Sequence, residues 1–229
     1  MNHLFIKAYD KDDYIARLCY ESWMLAGYEG TVTFYCQRKC PHPTYDRKYV
    51  PNWIVECGRI IFHDNLVSNF GGTDGVNALL EGLKQLKFDD EDYVITCDTD
   101  VIIKENPLNK FKGLIDGYVI DFSGTGDNIK SANPNQPPIA HISGQLQIIR
   151  GGILREILKA KKDDADRTGN AMIKMGLGIC DDTFMSYRVW ELRGNVKILK
   201  GMWGHTKCYD YEPRTDWKNI INEIKISDE

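Results

Sequence analysis

The run from Tyr93 to Ile103, YVITCDTDVII, sets two carboxylates inside an otherwise apolar stretch. Val94, Ile95, Val101, Ile102 and Ile103 are the β-branched residues of a buried strand, which needs neighbours in a sheet and cover on both faces. Side chains alternate along a strand with period two, so Asp98 and Asp100, flanking Thr99, would point to one side. Two carboxylates that close repel unless a cation lies between them, and a hard divalent ion serves. Aspartate at a strand end also closes turns by bonding its own backbone, and the triplet alone does not separate these uses. The expectation is a pair at or near the end of a central strand, facing a cleft.

The rest of the chain supplies the sheet. Leu4 to Ala8, Thr31 to Cys36, Trp53 to Cys57 and Arg59 to Phe62 read as strands. Tyr14 to Leu25 has helical periodicity with Gly27 as its stop, and Thr73 to Leu86 is a second helix. Asp74 lies near that helix's N-terminus, where the macrodipole favours an acid. A short helix follows at Pro107 to Phe111, then a strand at Tyr118 to Phe122. Ser123 to Pro138, rich in Gly, Pro and Asn, reads as a long functional loop. His141 to Ile149 is a strand, and Gly152 to Lys161 and Asp181 to Leu192 are helices. The charged run Lys159 to Arg167 reads as a solvated helix end and loop. A strand falls within Val196 to Pro213. This alternation predicts an α/β fold with a mostly parallel central sheet flanked by helices.

The chain has 229 residues, enough for one large domain spanning 1–229. Its net charge of -4 gives no bulk drive toward nucleic acid or an anionic membrane. The apolar run at the N-terminus is too short for a signal peptide, and no stretch has the length of a membrane span. Seven scattered cysteines, an odd number, point to a reducing, cytoplasmic setting. Nothing in the sequence specifies an oligomeric state.

These pieces resemble the GT-A fold glycosyltransferases, the D-x-D, glycogenin-like group that uses nucleotide-diphospho-sugars. The resemblance implies a single Rossmann-like domain whose nucleotide-binding part covers about 1–103 and whose sugar and acceptor part covers about 104–229. It implies Mn²⁺ or Mg²⁺ held by Asp98, Asp100 and His205, the histidine of WGHTK. It places Lys207 on the donor diphosphate, although the family's gap between that His and Lys is usually longer. Ala8, Tyr9, Asp10 and Tyr14, in the loop after the first strand, would hold the nucleoside, with Thr99 beside it. Ser143, Gly144 and Gln145 of ISGQLQIIRGG would line the sugar. Asp181 and Asp182 would contact sugar hydroxyls or serve as general base, although acids at a helix start are also ordinary caps. The reaction implied is transfer from a nucleoside-diphosphate sugar, UDP first, to a glycan, lipid or protein hydroxyl.

GGTDG, Gly71 to Gly75, lacks the spacing of a phosphate loop and reads as a turn with donor contact through Asp74. Two rivals share the opening motif. A haloacid-dehalogenase-type phosphatase would use Asp98 as nucleophile, but its motif normally opens the chain. A non-catalytic nucleotide-sugar or carbohydrate-binding domain would use the same residues for adhesion.

Overall fold

The computed structural model describes residues 1–8, 13–37, 57–63, 72–111, 119–129, 138–159, 162–199 and 203–205. Strands β1 (His3–Ala8), β2 (Thr31–Gln37), β3 (Arg59–His63) and β4 (Tyr93–Asp98) alternate with helices α1 (Asp13–Leu25) and α2 (Gly72–Leu83). A short strand β5 (Val101–Ile103) and a 3₁₀ turn (Pro107–Lys110) lead to the hairpin β6 (Phe122–Ile129) and β7 (Ile139–Arg150). Helices α3 (Gly151–Leu158), α4 (Lys162–Lys174) and α5 (Asp181–Glu191) precede β8 (Val196–Ile198) and β9 (Trp203–His205).

Seven strands form one sheet in the order β3-β2-β1-β4-β7-β6-β8, and β5 pairs with β9 in a small second sheet. The pairs β1/β2, β2/β3, β1/β4 and β6/β8 are parallel, whereas β7 runs antiparallel to both β4 and β6. Period-two alternation explains the two cores. Phe5 and Val94 face a cluster shared with α2, α3, α4 and α5, while Leu4, Ile6, Ile95 and Cys97 face the other side with Trp23 of α1 and Val101 and Ile103 of β5. Each fully buried side chain of this size contributes about 1.5–3 kcal/mol of burial. The sheet is therefore covered on both faces, as its apolar central strands require.

Helix α1 ends where expected. Gly27 adopts a left-handed φ of 77°, and Tyr28 N–H bonds back to the Trp23 carbonyl.

Three expectations are corrected. The D-T-D stretch is not one continuous strand: β4 stops at Asp98, Thr99 and Asp100 turn, and β5 restarts at Val101. The turn lets the chain leave the main sheet and pair with β9. Lys162 to Lys174 is helix α4 rather than a solvated loop, because Thr168 and Met172 are buried along one side of it. Finally, Ser123 to Ile129 belongs to strand β6, which begins at Phe122, and residues 119–121 of the strand expected before it are not strand. The glycines of β6 read as loop but serve close packing. A Cβ on Gly124 would lie 2.2 Å from the Leu146 carbonyl oxygen, and one on Gly126 would lie 1.8 Å from that of His141. The remainder of the expected loop, 130–137, and the expected strand residues 53–56 lie outside the described residues.

Candidate active site

The chain leaves β1 for β2 and β3 on one side and returns to β4 on the other. In an open α/β sheet a crevice forms at this reversal, beyond the carboxyl ends of the two strands. Lys7 and Asp98 are register partners there, one residue from the end of β1 and at the last residue of β4.

Lys7 is 2% exposed, and its ammonium meets three oxygens: Asp98 Oδ1 at 2.8 Å, Asp181 Oδ2 at 2.7 Å and the Gly144 carbonyl at 2.8 Å. An ammonium has three protons, so this tripod uses all of them. Burial, the largest influence, works against the charge, but Asp181 and Asp98 outweigh it and raise the Lys7 pKa. Burial also pushes the Asp98 carboxyl above its ordinary value. Lys7 pulls it down, and the negative charges of Asp181 and Asp100 push it up again.

The β7 side of the crevice is shaped by a bulge. Gly124 of β6 pairs with Gln147, but Gly126 pairs with Ile142, so Ser143 to Leu146 stand opposite Thr125 alone. The buried Gln147 braces the gap: its Nε2 donates to the Ile142 carbonyl at 3.3 Å and its Oε1 accepts from Thr96 Oγ1 at 3.4 Å. Because Cys97 of β4 is paired with Leu146, the bulge lies beside the end of β4. Ser143 Oγ donates to Gln145 Oε1 at 3.2 Å, holding that side chain. Gly144 is a glycine for a local reason, since a Cβ there would come within 2.8 Å of Asp181 Oδ1.

Asp181 and Asp182 open α5, and each satisfies a first-turn amide. Asp181 Oδ1 accepts from Asp182 N–H at 2.9 Å, and Asp182 Oδ1 accepts from Thr183 N–H at 2.6 Å. The capping role is thus real, yet each acid keeps a second oxygen for another partner. For Asp181 that partner is Lys7; for Asp182 it is His141, whose Nε2 lies 3.3 Å from Oδ2. Burial raises the Asp182 pKa, but His141, the Cys180 thiol and the Thr183 amide outweigh it and hold the carboxyl down to about 2.

Among the expected site residues, Asp98, Gly144 and Asp181 are thus joined through Lys7, with Ser143, Gln145 and Asp182 adjacent in sequence and structure. Ala8 ends β1 directly after Lys7, and the buried Thr99 follows Asp98. Asp74 is exposed in the first turn of α2, whose Gly72 N–H donates to the Ile179 carbonyl at 2.8 Å, so α2 starts close to α5. Tyr9, Asp10, Lys207 and the side chains of Tyr14 and His205 lie outside the described residues. The His205 backbone is described, and it pairs with Val101, the residue after Asp100.

Among the described residues no three His, Cys, Asp or Glu side chains converge as a complete metal site. The donor set that the backbone assembles nevertheless fits a divalent ion: two hard carboxylates on one turn, with a histidine strand registered against it.

No family model matches the sequence, and no curated protein matches it. Solved structures do. A crystal structure of the galactosyltransferase LgtC with donor and acceptor sugar analogues superposes with a TM-score of 0.53 at 12% identity, over 99% of this chain and 96% of that one. An active-site mutant of LgtC gives 0.55 at 10% identity, over 99% and 96%. The apo form of mouse xyloside xylosyltransferase 1 gives 0.50 at 12% identity, over 86% and 84%.

The chain has the GT-A fold.

The GT-A likeness runs almost end to end in LgtC, so it includes the antiparallel β6/β7 part as well as the parallel half. Sequence reasoning missed Lys7, His141 and Gln147. Lys7 had a readable signal, a lone charge inside the apolar run LFIKA, which a buried strand admits only with a partner. His141 and Gln147 gave none, because their partners depend on a bulge that no local pattern announces.

Proposed function

We propose that the protein is a metal-dependent glycosyltransferase that moves a sugar from a nucleoside-diphosphate sugar, with UDP the favoured nucleotide, to a hydroxyl acceptor. One observation carries the reading: on a GT-A fold, the D-T-D turn at the switch point is followed by a strand registered against His205. Asp98, Asp100 and His205 would hold Mn²⁺ or Mg²⁺. That ion supplies Lewis-acid neutralisation of the charge on the departing diphosphate.

The chain's own residues do the rest. Ala8, Tyr9, Asp10, Tyr14 and Thr99 would hold the nucleoside, and Lys207 would balance diphosphate charge. Asp74 meets the donor from the start of α2, which is tied to the segment before α5. Ser143, Gly144 and Gln145, displaced by the bulge toward the end of β4, line the sugar. Asp181, engaged by Lys7, and Asp182, braced by His141, would contact sugar hydroxyls, and either would serve as general base toward the acceptor hydroxyl if the transfer inverts. A glycan, lipid or protein hydroxyl fits this chemistry.

On this reading the nucleotide would bind about 1–103 and the sugar and acceptor about 104–229 within one domain. A reducing, cytoplasmic setting agrees with the free thiols of Cys19, Cys36, Cys57, Cys97 and Cys180. Among the described residues no helix is long and apolar enough to cross a membrane. A fold shared with sugar transferases favours this reading over the phosphatase one.

Differential scanning fluorimetry with UDP, GDP and Mn²⁺ tests it. Joint stabilisation by a nucleoside diphosphate and Mn²⁺ is expected, since ligands that bind the native state raise its melting temperature. Indifference to every nucleotide would overturn the reading.

A further inference from the structure

Lys7 joins four separate pieces of the chain. It projects from β1 and meets the end of β4 at Asp98, the β7 bulge at the Gly144 carbonyl, and the start of α5 at Asp181. Two of these belong to the nucleotide-side part of the sheet and two to the sugar-side part. All three protons of the ammonium have acceptors, and the side chain is 2% exposed, so it is enclosed by the pieces it joins.

We infer that Lys7 is a positioning residue that couples the sugar-side acid Asp181 to the metal-side acid Asp98. The inference rests on the proposed metal-dependent transfer and adds to it a residue and a linkage. With Oδ1 of Asp98 held by Lys7, the carboxylate has one rotation, and its other oxygen is aimed rather than left to turn. Asp181 is oriented in the same way from both ends, by Lys7 at Oδ2 and by the Asp182 amide at Oδ1. A shift of the β7 bulge or of α5 is therefore transmitted to Asp98 through one rigid cation. Without Lys7 the two acids would face each other with no charge between them, and each would turn away.

A purely structural lysine would neutralise the buried Asp181 and the part-exposed Asp98 and do nothing else, and removing charge in matched amounts separates the cases. The variant Lys7→Met/Asp181→Asn leaves the net charge of the site unchanged, removes both members of the buried Lys7–Asp181 pair, and leaves only the part-exposed Asp98 without its ammonium partner. We expect it to melt within a few degrees of the wild type. We expect its Mn²⁺ affinity, read from the electron paramagnetic resonance signal of free Mn²⁺, to fall at least tenfold because Asp98 is no longer held. An affinity within threefold of the wild type would overturn the coupling. If that variant does not fold, Gly144→Ala serves, because it leaves every charge in place and sets a methyl 2.8 Å from Asp181 Oδ1. The expected result is then a threefold or greater loss of Mn²⁺ affinity in a folded protein whose melting temperature falls modestly, and unchanged affinity would overturn the inference. Failure of the wild type itself to bind Mn²⁺ would overturn the metal reading and this inference with it. Normal wild-type binding with an indifferent variant overturns the inference alone.

Discussion

Val101 and His205 are register partners across the β5/β9 ribbon, which stitches the chain's late histidine to the residue directly after Asp100. Two segments far apart in sequence meet at the D-T-D turn through backbone hydrogen bonds, before any metal is considered. His205→Ala should therefore leave the fold intact and weaken Mn²⁺ binding by at least about tenfold, the loss seen even for groups one step removed from a metal. Isothermal titration with Mn²⁺ reads this directly. Wild-type affinity would remove His205 from the site.

Asp100 makes the stronger case for chemistry. Asp100→Asn keeps the size of the side chain and removes its charge, so circular dichroism should be unchanged. Mn²⁺-dependent turnover should fall by about 100-fold or more, since a metal's stabilisation of a leaving diphosphate is worth several kcal/mol. Full activity in the variant would refute the assignment.

Asp182 predicts a pH dependence. Its carboxyl is held from 3.8 down to about 2 in the folded chain, burial opposing and His141, Cys180 and Thr183 prevailing. A depressed folded value means the unfolded chain binds the proton first as pH falls. Its contribution is thus complete above the unfolded value and is lost as pH drops from there through the folded one. Asp182→Asn should flatten the urea midpoint across that acid window relative to the wild type and leave its slope near neutrality alone. Identical acid profiles would show that the His141 pairing does not stabilise the fold.

The bulge predicts a difference between glycines. Gly126→Ala would put a methyl 1.8 Å from the His141 carbonyl oxygen, against backbone that cannot yield. It should cost about 1–3 kcal/mol in urea denaturation, in the range of overpacking within a core. Gly178→Ala meets nothing within 4 Å and should stay within about 0.5 kcal/mol. Equal effects would mean that β6 and β7 do not approach closely.

Much of the fold was legible because its signals are local. The apolar runs at Leu4 and Thr31 and the helices at Tyr14 and Asp181 appear within a few residues of their expected bounds, and the run from Tyr93 starts where expected. Strand β6 was hidden because Gly124 and Gly126, which suit a loop by composition, are required by the approach of β7. Helix α4 was hidden because its charged exposed side outweighs the few residues it buries. In the site, the acids could be read individually, but the link between Asp98 and Asp181 could not. It is made by Lys7, from a strand whose neighbours are set by the topology and not by adjacency in sequence. The turn at Thr99–Asp100 was misread as strand because β-branched residues flank it on both sides, although they belong to two different sheets.

Metal-dependent sugar transfer from a nucleotide donor would release a nucleoside diphosphate. Incubating the protein with a panel of UDP- and GDP-sugars, with Mn²⁺ and with chelator, and measuring released nucleoside diphosphate tests it most directly. The account predicts release from at least one sugar nucleotide, dependent on Mn²⁺, abolished by chelator and lost in Asp100→Asn. Absence of nucleoside diphosphate release from every donor, with the folded protein and metal present, would contradict it.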